Sequence, residues 1–262
     1  MNRTLAAVAA VLAGLTALFL ALPLVGLLVQ GSGAGAVAAL ARPKVLDALR
    51  LSVVTSSAAT ALVIVGGTPL AYILQRYRFV GREALLTLVN MPAVLPPVVS
   101  GLALLFAFGR RGLLGRELTA FGISIPFTPL AVVLAQAFVA SPLFINAAHA
   151  GFAAVDRRYL QAAAALRAGP GYRFWRVSLP MAAPSLIGGA ALTWARALGE
   201  FGATIMFAGN LPGVTQTVPL AIYLEVQTDP PAAVALALLL AFVSFLCLLL
   251  FRTVTGAAWP RR

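Results

Sequence analysis

Long apolar runs, each of a length that crosses a lipid bilayer, constrain this chain more than any other feature. A membrane-spanning helix needs about 20 predominantly apolar residues. Six such runs, separated by loops that hold most of the charged residues, cover approximately residues 5–29, 51–75, 84–109, 128–150, 184–207 and 231–252. The sequence therefore predicts an all-α polytopic membrane protein, with six transmembrane helices in one domain over residues 1–262.

The composition supports the same fold class. Hydrophobic residues make up 61% of the 262 positions and charged residues 10%, whereas soluble domains carry about 25% charged residues. The formal net charge is +12, but the basic residues lie between apolar runs and line no single face, so no nucleic-acid partner is expected. The only cysteine, Cys247, and the only histidine, His149, fit no metal-binding pattern, so no metal site is expected.

The first apolar run is longer than the core of a secretory signal, which has about 7–15 apolar residues. It extends from Leu5 to Val29 without a charge. We therefore expect a first transmembrane helix that is kept, with a cleaved signal peptide as the alternative. The Gly/Ala-rich segment from Gly31 to Arg50 is predicted to be an external loop or a surface helix.

The distribution of basic residues predicts the orientation of the chain. Six spans put both termini on one side of the membrane, and cytoplasmic loops carry an excess of Arg and Lys. One set of loops and termini holds twelve basic residues: Arg3, Arg76, Arg78, Arg82, Arg157, Arg158, Arg167, Arg173, Arg176, Arg252, Arg261 and Arg262. The opposite loops hold six: Arg42, Lys44, Arg50, Arg110, Arg111 and Arg116. Both termini are therefore expected in the cytoplasm.

The most polar long segment lies within the cytoplasmic loop at residues 151–182. Residues 161–180, which we name the knob, read QAAAALRAGPGYRFWRVSLP. Pro170 has no backbone N–H and disfavours helix at Gly169, so a helix–turn–helix is predicted. Tyr172, Phe174 and Trp175 are expected to pack against a partner. The alternative for these aromatic side chains is anchoring among lipid headgroups.

The third apolar run carries Pro92, Pro96 and Pro97 near its middle. A break in the helix is expected there. Irregular backbone at membrane depth is tolerated only where protein or a watery cavity surrounds it. The segment that contains Pro96, Pro97 and Ser100 is therefore a candidate pore wall, and a structural kink is the alternative.

The fifth run contains two charged residues, Arg196 and Glu200, near the middle of the membrane. Four residues apart, they are expected to share a helix face. Charged residues within the membrane usually mark a transport pathway, although a pair that only fixes helix packing is the alternative. The gate candidates are Arg196, Gly199, Glu200, Phe201 and Gly202.

The chain has no phosphate-binding loop of the kind that hydrolyses ATP. That motif needs Gly-Lys followed by Ser or Thr, and the only lysine, Lys44, follows Pro43. We therefore expect a permease that is not an enzyme and holds no cofactor. If ATP drives transport, a partner subunit binds the ATP and magnesium.

The knob resembles the cytoplasmic loop of type I permeases of bacterial ATP-binding-cassette importers. The residues that carry this resemblance, and are implied to couple to an ATPase, are Gln161, Ala162, Ala163, Arg167, Val177, Leu179 and Pro180. Gln161 stands where that family has Glu, and Arg167 stands where it has Gly. Gly169 and Gly171 are expected to supply the flexibility that the missing glycine would give.

A narrower resemblance covers most of residues 50–240. The runs ARALGEFGAT (195–204), AGN (208–210), PGVTQTVP (212–219) and LPPVVSGLALLFAFGRRGLLG (95–115) are similar to molybdate permeases. The resemblance implies a type I importer permease fold in the bacterial inner membrane. It also implies a homodimer, two cytoplasmic ATPase subunits and an extracytoplasmic oxyanion-binding protein, with the third and fifth spans near the gate. Tungstate stays open beside molybdate as the anion. Sulfate and thiosulfate permeases share a string like Gly-Glu-Phe-Gly and are the alternative.

Two other classes of function compete with an importer. A secondary transporter would be expected to carry several charged sites in the membrane or paired broken helices, and the sequence offers one charged pair. A membrane scaffold would not need a charged pair beside glycines. An importer is therefore favoured, with its binding protein docked on loops 110–127 and 208–230.

Overall fold

The structure is a computed structural model that describes residues 3–31, 38 and 42–257. Its helices account for the apolar runs. Prolines at the first helical positions start many of them, because a proline there costs no hydrogen bond. The helices are α1 (Arg3–Gly31), α2 (Pro43–Arg76), α3 (Arg82–Val94), α4 (Pro97–Phe108), α5 (Gly115–Ala120), α6 (Pro129–Ala153), α7 (Arg157–Ala165), α8 (Pro170–Arg173), a π-helical segment (Phe174–Ser178), α9 (Leu179–Leu198), α10 (Gly202–Ala208), α11 (Val218–Thr228) and α12 (Pro230–Ala257).

Five of these helical stretches are long and apolar enough to cross a membrane. They are α1, α2, α6, the stretch from α8 to α9, and α12. The pair α3 and α4 makes a sixth span if it is counted as one, and it is bent by 118° at its break. The predicted all-α polytopic fold is therefore confirmed. Arg261 and Arg262, which entered the orientation argument, lie outside the described residues.

The centre of the molecule is built by α2, α6 and α9. Phe144 on α6 is completely buried, and Gly67 on α2 and Gly189 on α9 both pack against it. Gly151, at the other end of α6, packs against Ser185 of α9, so these two helices run antiparallel. Small residues at these contacts let the helix backbones approach closely, which is how membrane helices associate.

The first helix lies at the edge of the bundle. Its side chains are exposed along nearly its whole length, and it packs near Gly31 against Leu238 of α12. Exposed leucines and valines on every side of a helix would be unfavourable in water. They are the expected surface of a helix that is surrounded by lipid.

The loops with many basic residues and the loops with few lie at opposite ends of α2. At its beginning, Arg42 forms an ion pair with Asp229. At its end, Arg76 lines a cavity together with Arg173 of the knob. The loops therefore segregate as the sequence predicts.

Three element boundaries differ from the expectation. Residues 43–50 are the first turns of α2, with Val45 buried, because Pro43 starts a helix at a place where a loop or separate surface helix was expected. The fifth span begins well before Pro184, because the helix that starts at Pro170 continues to Leu198. The loop expected at 208–230 contains α11, which also starts with a proline at its first turn.

Candidate functional site

The predicted break in the third run lies between α3 and α4. The helix α3 ends at Val94, Leu95 and Pro96 are extended, and α4 starts at Pro97. Adjacent prolines remove two backbone donors, so the helix cannot continue through them. The prediction of a broken span is confirmed here.

A second break, which the sequence analysis did not predict, interrupts the fifth run. The helix α9 ends at Leu198, and α10 starts at Gly202. A carboxylate oxygen of Glu200 accepts a hydrogen bond from the backbone N–H of Ala203 at 2.8 Å. This bond satisfies one of the free N–H groups at the start of α10, as a capping residue does. The expectation that Arg196 and Glu200 share one helix is therefore wrong.

Arg196 and Glu200 nevertheless form the expected pair. An Nη atom of Arg196 lies 2.6 Å from the second carboxylate oxygen of Glu200. The Glu200 side chain is 1% exposed, whereas the Arg196 side chain is 35% exposed. A buried charge must be paired or it is strongly unfavourable. Arg196 therefore neutralises the carboxylate while its guanidinium keeps access to the space beside the break.

The two breaks meet because α4 and α10 cross at glycines. A Cβ atom at Gly101 would lie 2.6 Å from the carbonyl oxygen of Ala203, and one at Gly202 would lie 2.7 Å from Cβ of Pro97. Only a glycine permits contacts this close. Candidate pore residues from the third and fifth runs are thus brought together. Phe201 packs against Tyr223 of α11, with the ring centroids 5.3 Å apart, and the exposed Gly199 directly follows the last residue of α9.

Unpaired polar side chains are buried in this region. Ser100 on α4 and Thr204 on α10 have hydroxyl groups without a hydrogen-bond partner, and both residues are completely buried. Gln136 on α6 is also completely buried, and neither atom of its amide is paired. The antiparallel packing of α6 and α9 places Gln136 level with Leu198. Sequence reasoning missed Gln136, although it is the only amide side chain in the apolar run from Pro129 to Ile145.

At the other end of α9, the knob begins within α7, a helix that has no buried residue. Asp156 caps this helix by accepting a hydrogen bond from the N–H of Arg158 at 2.8 Å. Gln161 and Ala162 are exposed, and Ala163 is half-buried. This face is therefore open to a partner.

Arg167 occupies a backbone conformation that favours glycine. Its φ is 59°, and it follows the end of α7. The N–H of Ala168 donates to the carbonyl of Ala163 at 3.0 Å, and the N–H of Arg167 donates to that of Ala164 at 2.9 Å. This pair of bonds forms a Schellman motif, in which glycine is usual at the left-handed position.

Gly169 and Gly171 do not hold the left-handed position of this turn. Gly169 has φ of −66°, and the glycines with positive φ among the described residues are Gly81, Gly122, Gly209 and Gly213. The left-handed turn falls on Arg167 itself, and the expectation that Gly169 and Gly171 supply flexibility stays a prediction. Both glycines border open space.

Phe174 of the knob points into the bundle. Its ring lies 4.8 Å from that of Tyr72 on α2 and 6.2 Å from that of Phe152 on α6. Phe174 is thus not available to a partner, contrary to the expectation. Tyr172 and Trp175 are exposed, and their packing against a partner stays a prediction.

The knob continues into α9 without an interruption. The π-helical segment Phe174–Ser178, which contains Val177, lies between α8 and α9. The N–H of Leu179 donates to the carbonyl of Phe174, five residues earlier. The ring of Pro180 would crowd the carbonyl of Arg176 in a regular helix, and the wider π turn gives it room.

A family model described as the inner membrane component of binding-protein-dependent transport systems matches residues 63–258. The chain belongs to this family. The match covers the broken span, the knob and the second break. This transport component is therefore a multi-pass membrane permease subunit, and that it is not an enzyme stays a prediction.

Curated relatives of the permease extend the match. The chain is 47% identical to the molybdenum transport system permease protein ModB of Mycobacterium tuberculosis, over 88% of each chain. It is 42% identical to ModB of Escherichia coli strain K12, over 70% of this chain and 80% of that protein. It is 40% identical to ModB of Haemophilus influenzae, over 77% and 87%.

Solved structures share the fold of the permease. A bacterial ABC transporter involved in the import of the acidic polysaccharide alginate has a chain with a TM-score of 0.77 at 15% identity, over 97% of this chain and 96% of that one. The MetNI methionine ABC transporter in an inward-facing conformation gives a TM-score of 0.59 at 17% identity, over 82% and 94%. At these identities the likeness concerns the fold alone.

No group of three or more His, Cys, Asp or Glu side chains that could hold a metal occurs in the part of the permease that the structure describes. That the chain itself holds no metal or cofactor stays a prediction.

Proposed function

We propose that this chain is the permease subunit of an ATP-driven importer that moves molybdate into the cell across the bacterial inner membrane. The observation that carries the proposal is the 47% identity to a molybdenum transport permease over 88% of both chains. The three relatives described above all carry molybdenum in their names. They favour molybdate over the sulfate alternative.

The proposed assembly is a homodimer with two cytoplasmic ATPase subunits, which bind the ATP and magnesium. The exposed face of α7, with Gln161 and Ala162, is the proposed contact for the ATPase. Its support is the absence of any fully buried residue on α7, which leaves Gln161 and Ala162 exposed.

The proposed path of force follows one helical stretch. The knob and α9 form 29 continuous helical residues from Pro170 to Leu198, about 43 Å at 1.5 Å per residue. One end lies beside the ATPase contact, and the other ends at the break that holds Glu200. Movement of the knob would therefore displace the break directly, and Phe174 would carry α2 and α6 with it.

The proposed entry side is the opposite end of the bundle. Loop 209–217 is held by a hydrogen bond from the Gln216 amide to Asn210 at 3.0 Å, and a cavity of about 680 Å³ lies between Arg110, Arg111 and Ser124. We propose that an extracytoplasmic binding protein docks on loops 110–127 and 208–230 and releases the anion there.

The test is uptake by proteoliposomes that contain the permease, its ATPase and its binding protein. Molybdate uptake is expected to require ATP and to continue in a large excess of sulfate. Uptake driven by an ion gradient without ATP, or sulfate uptake that molybdate does not inhibit, would contradict the proposal.

Variants of the knob test the ATPase contact separately. Gln161→Arg and Ala162→Asp add charge to the exposed face of α7 and are expected to abolish uptake and co-purification of the ATPase. Membrane insertion should be unchanged. Arg116→Gln, at the opposite end of the bundle, is the control and should keep the ATPase bound.

A further inference from the structure

A basic cavity lies outside the transport path, where the turn between α2 and α3 meets the start of α7. Its volume is about 590 Å³, and its lining includes Arg78, Arg82, Arg157 and Glu83. The three arginines come from two separate parts of the chain. The fold therefore concentrates positive charge at this place.

The arginines of this cavity are incompletely neutralised. Arg82 lies 2.5 Å from a carboxylate oxygen of Glu83 and also donates to the carbonyl of Leu74 at 2.7 Å. Within the described ranges, Arg78 and Arg157 form no ion pair with a carboxylate. Three guanidinium groups against one carboxylate leave a surplus of two positive charges. Arginine is well suited to phosphate, because its planar group binds two oxygens at once.

The turn beside the cavity is apolar and exposed. Tyr77, Phe79 and Val80 form this turn, and all three side chains are largely exposed. They directly follow Arg76, the last residue of the membrane-spanning helix α2. Aromatic side chains next to arginines at the end of a span are typical of the headgroup region of a bilayer. A soluble anion would need the arginines but not this apolar turn.

A second cavity continues the same surface toward the knob. Its volume is about 340 Å³, it shares Tyr77 with the first cavity, and it is lined by Arg76 and Arg173. The Nε atom of Arg173 is buried and has no hydrogen-bond partner. The basic surface therefore extends from the end of α2 to α8.

We propose that the cavity at Arg78, Arg82 and Arg157 binds the phosphate headgroup of an acidic phospholipid from the surrounding bilayer. The phosphate pairs with the arginines, and the acyl chains lie against the apolar turn and the lipid-facing side of α3. Arg157 is the first residue of α7, so the bound lipid joins the start of α7 to the turn after α2. It thereby braces the helix that carries Gln161 and Ala162.

Lipid titration of the full-length protein tests this proposal. Purified protein in neutral detergent is titrated with phosphatidylglycerol or with phosphatidylcholine, and bound lipid is counted by native mass spectrometry. Phosphatidylglycerol is expected to bind more tightly than phosphatidylcholine. The variant Arg78→Gln/Arg157→Gln should lose about 25-fold in affinity for phosphatidylglycerol, at about fivefold for each arginine.

A matched variant separates this site from general charge. Arg158→Gln/Arg176→Gln removes the same charge from exposed arginines of the same loop that do not line the cavity, and its affinity should change less than twofold. Arg78→Lys/Arg157→Lys keeps the charge but loses the contact to two oxygens at once, so its affinity should lie between those of the unmodified protein and the glutamine variant. All variants should elute as the unmodified protein does in gel filtration.

Four results would overturn the proposal. The first is equal affinity for the two lipids, and the second is an equal loss of affinity in the two glutamine variants. The third is displacement of phosphatidylglycerol by millimolar inorganic phosphate, which would assign the site to a soluble anion. The fourth is loss of the bound lipid when the ATPase subunit is added, which would assign the cavity to that protein.

Discussion

Glu200 illustrates how one side chain can hold both a local structure and a charge. One of its oxygens caps α10 through Ala203, and the other pairs with Arg196. Because the carboxylate is buried and the guanidinium is partly exposed, the two partners are not equivalent. Loss of the arginine leaves a buried charge, whereas loss of the carboxylate leaves a cation that is partly exposed.

This asymmetry predicts unequal effects of single substitutions. Arg196→Met should lower the free energy of unfolding by about 2 kcal/mol, below the 3–5 kcal/mol of a fully buried pair because Arg196 is partly exposed. Glu200→Gln should cost less, because its amide oxygen still accepts from Ala203. Denaturant unfolding in detergent is the measurement. The double variant should be more stable than Arg196→Met alone, and equal losses in both single variants would contradict the argument.

Arg167 predicts a substitution that stabilises the knob. A residue other than glycine in the left-handed region costs about 1–2 kcal/mol. Arg167→Gly should therefore raise stability by up to about 1 kcal/mol, after the greater freedom of glycine in the unfolded chain is subtracted. Hydrogen exchange at the N–H of Ala168 should slow. Ala164→Gly, in the regular part of α7, is the control and should lower stability by about 1 kcal/mol.

At the scale of elements, the two breaks show where sequence reasoning works. Pro96 and Pro97 indicate the first break, because proline has no backbone N–H and cannot continue a helix. The second break contains no proline, and the spacing of Arg196 and Glu200 is equally compatible with a continuous helix. The sequence offers one indication, namely Gly199 and Gly202 around Glu200, since glycine weakens the interior of a helix.

The crossing of α4 and α10 predicts that Gly101 cannot be replaced. A Cβ atom there would contact backbone atoms of Ala203 at 2.6 and 2.8 Å, and backbone cannot move aside as a flexible side chain can. Gly101→Ala should cost about 1–3 kcal/mol of stability and abolish transport. Gly66→Ala, at an exposed position of α2 with no atom near, is the control and should be neutral or slightly stabilising. Thermal unfolding and uptake are the measurements.

At the scale of the whole molecule, the fold class follows from the apolar runs, but the assembly of the site does not. Ser100, Gln136 and Glu200 come from three different runs, and nothing in their spacing says that the runs meet. The knob was recognised from its residues, whereas its fusion with α9 depends on the π turn at Phe174–Ser178. A turn of that kind leaves no clear mark in the sequence.

The ion pair between Arg42 and Asp229 joins distant parts of the chain and predicts a pH dependence. The hydrogen bond and charge of Arg42 lower the pKa of Asp229 below its usual value of 3.8. A carboxylate with a lowered pKa contributes stability above its unfolded-state pKa and loses it as the pH falls through the folded-state value. The contribution should therefore persist at neutral pH and be lost once the pH falls below the lowered pKa of Asp229.

Asp229→Asn tests this pair. Thermal unfolding of the variant should occur at a lower temperature than that of the unmodified protein at pH 7. The difference between the two proteins should shrink as the pH falls and disappear once Asp229 is protonated in the folded protein. A difference between them that does not depend on pH would mean that the ion pair does not contribute.

The glycine contacts between α4 and α10 restrict how a passage through this protein can open. With backbone against backbone at Gly101 and Gly202, neither short helix can rotate or slide alone without a clash. We therefore expect α4 and α10 to move as one rigid unit. Both fragments should move sideways together when the passage opens, with each break acting as a hinge rather than as a separate gate.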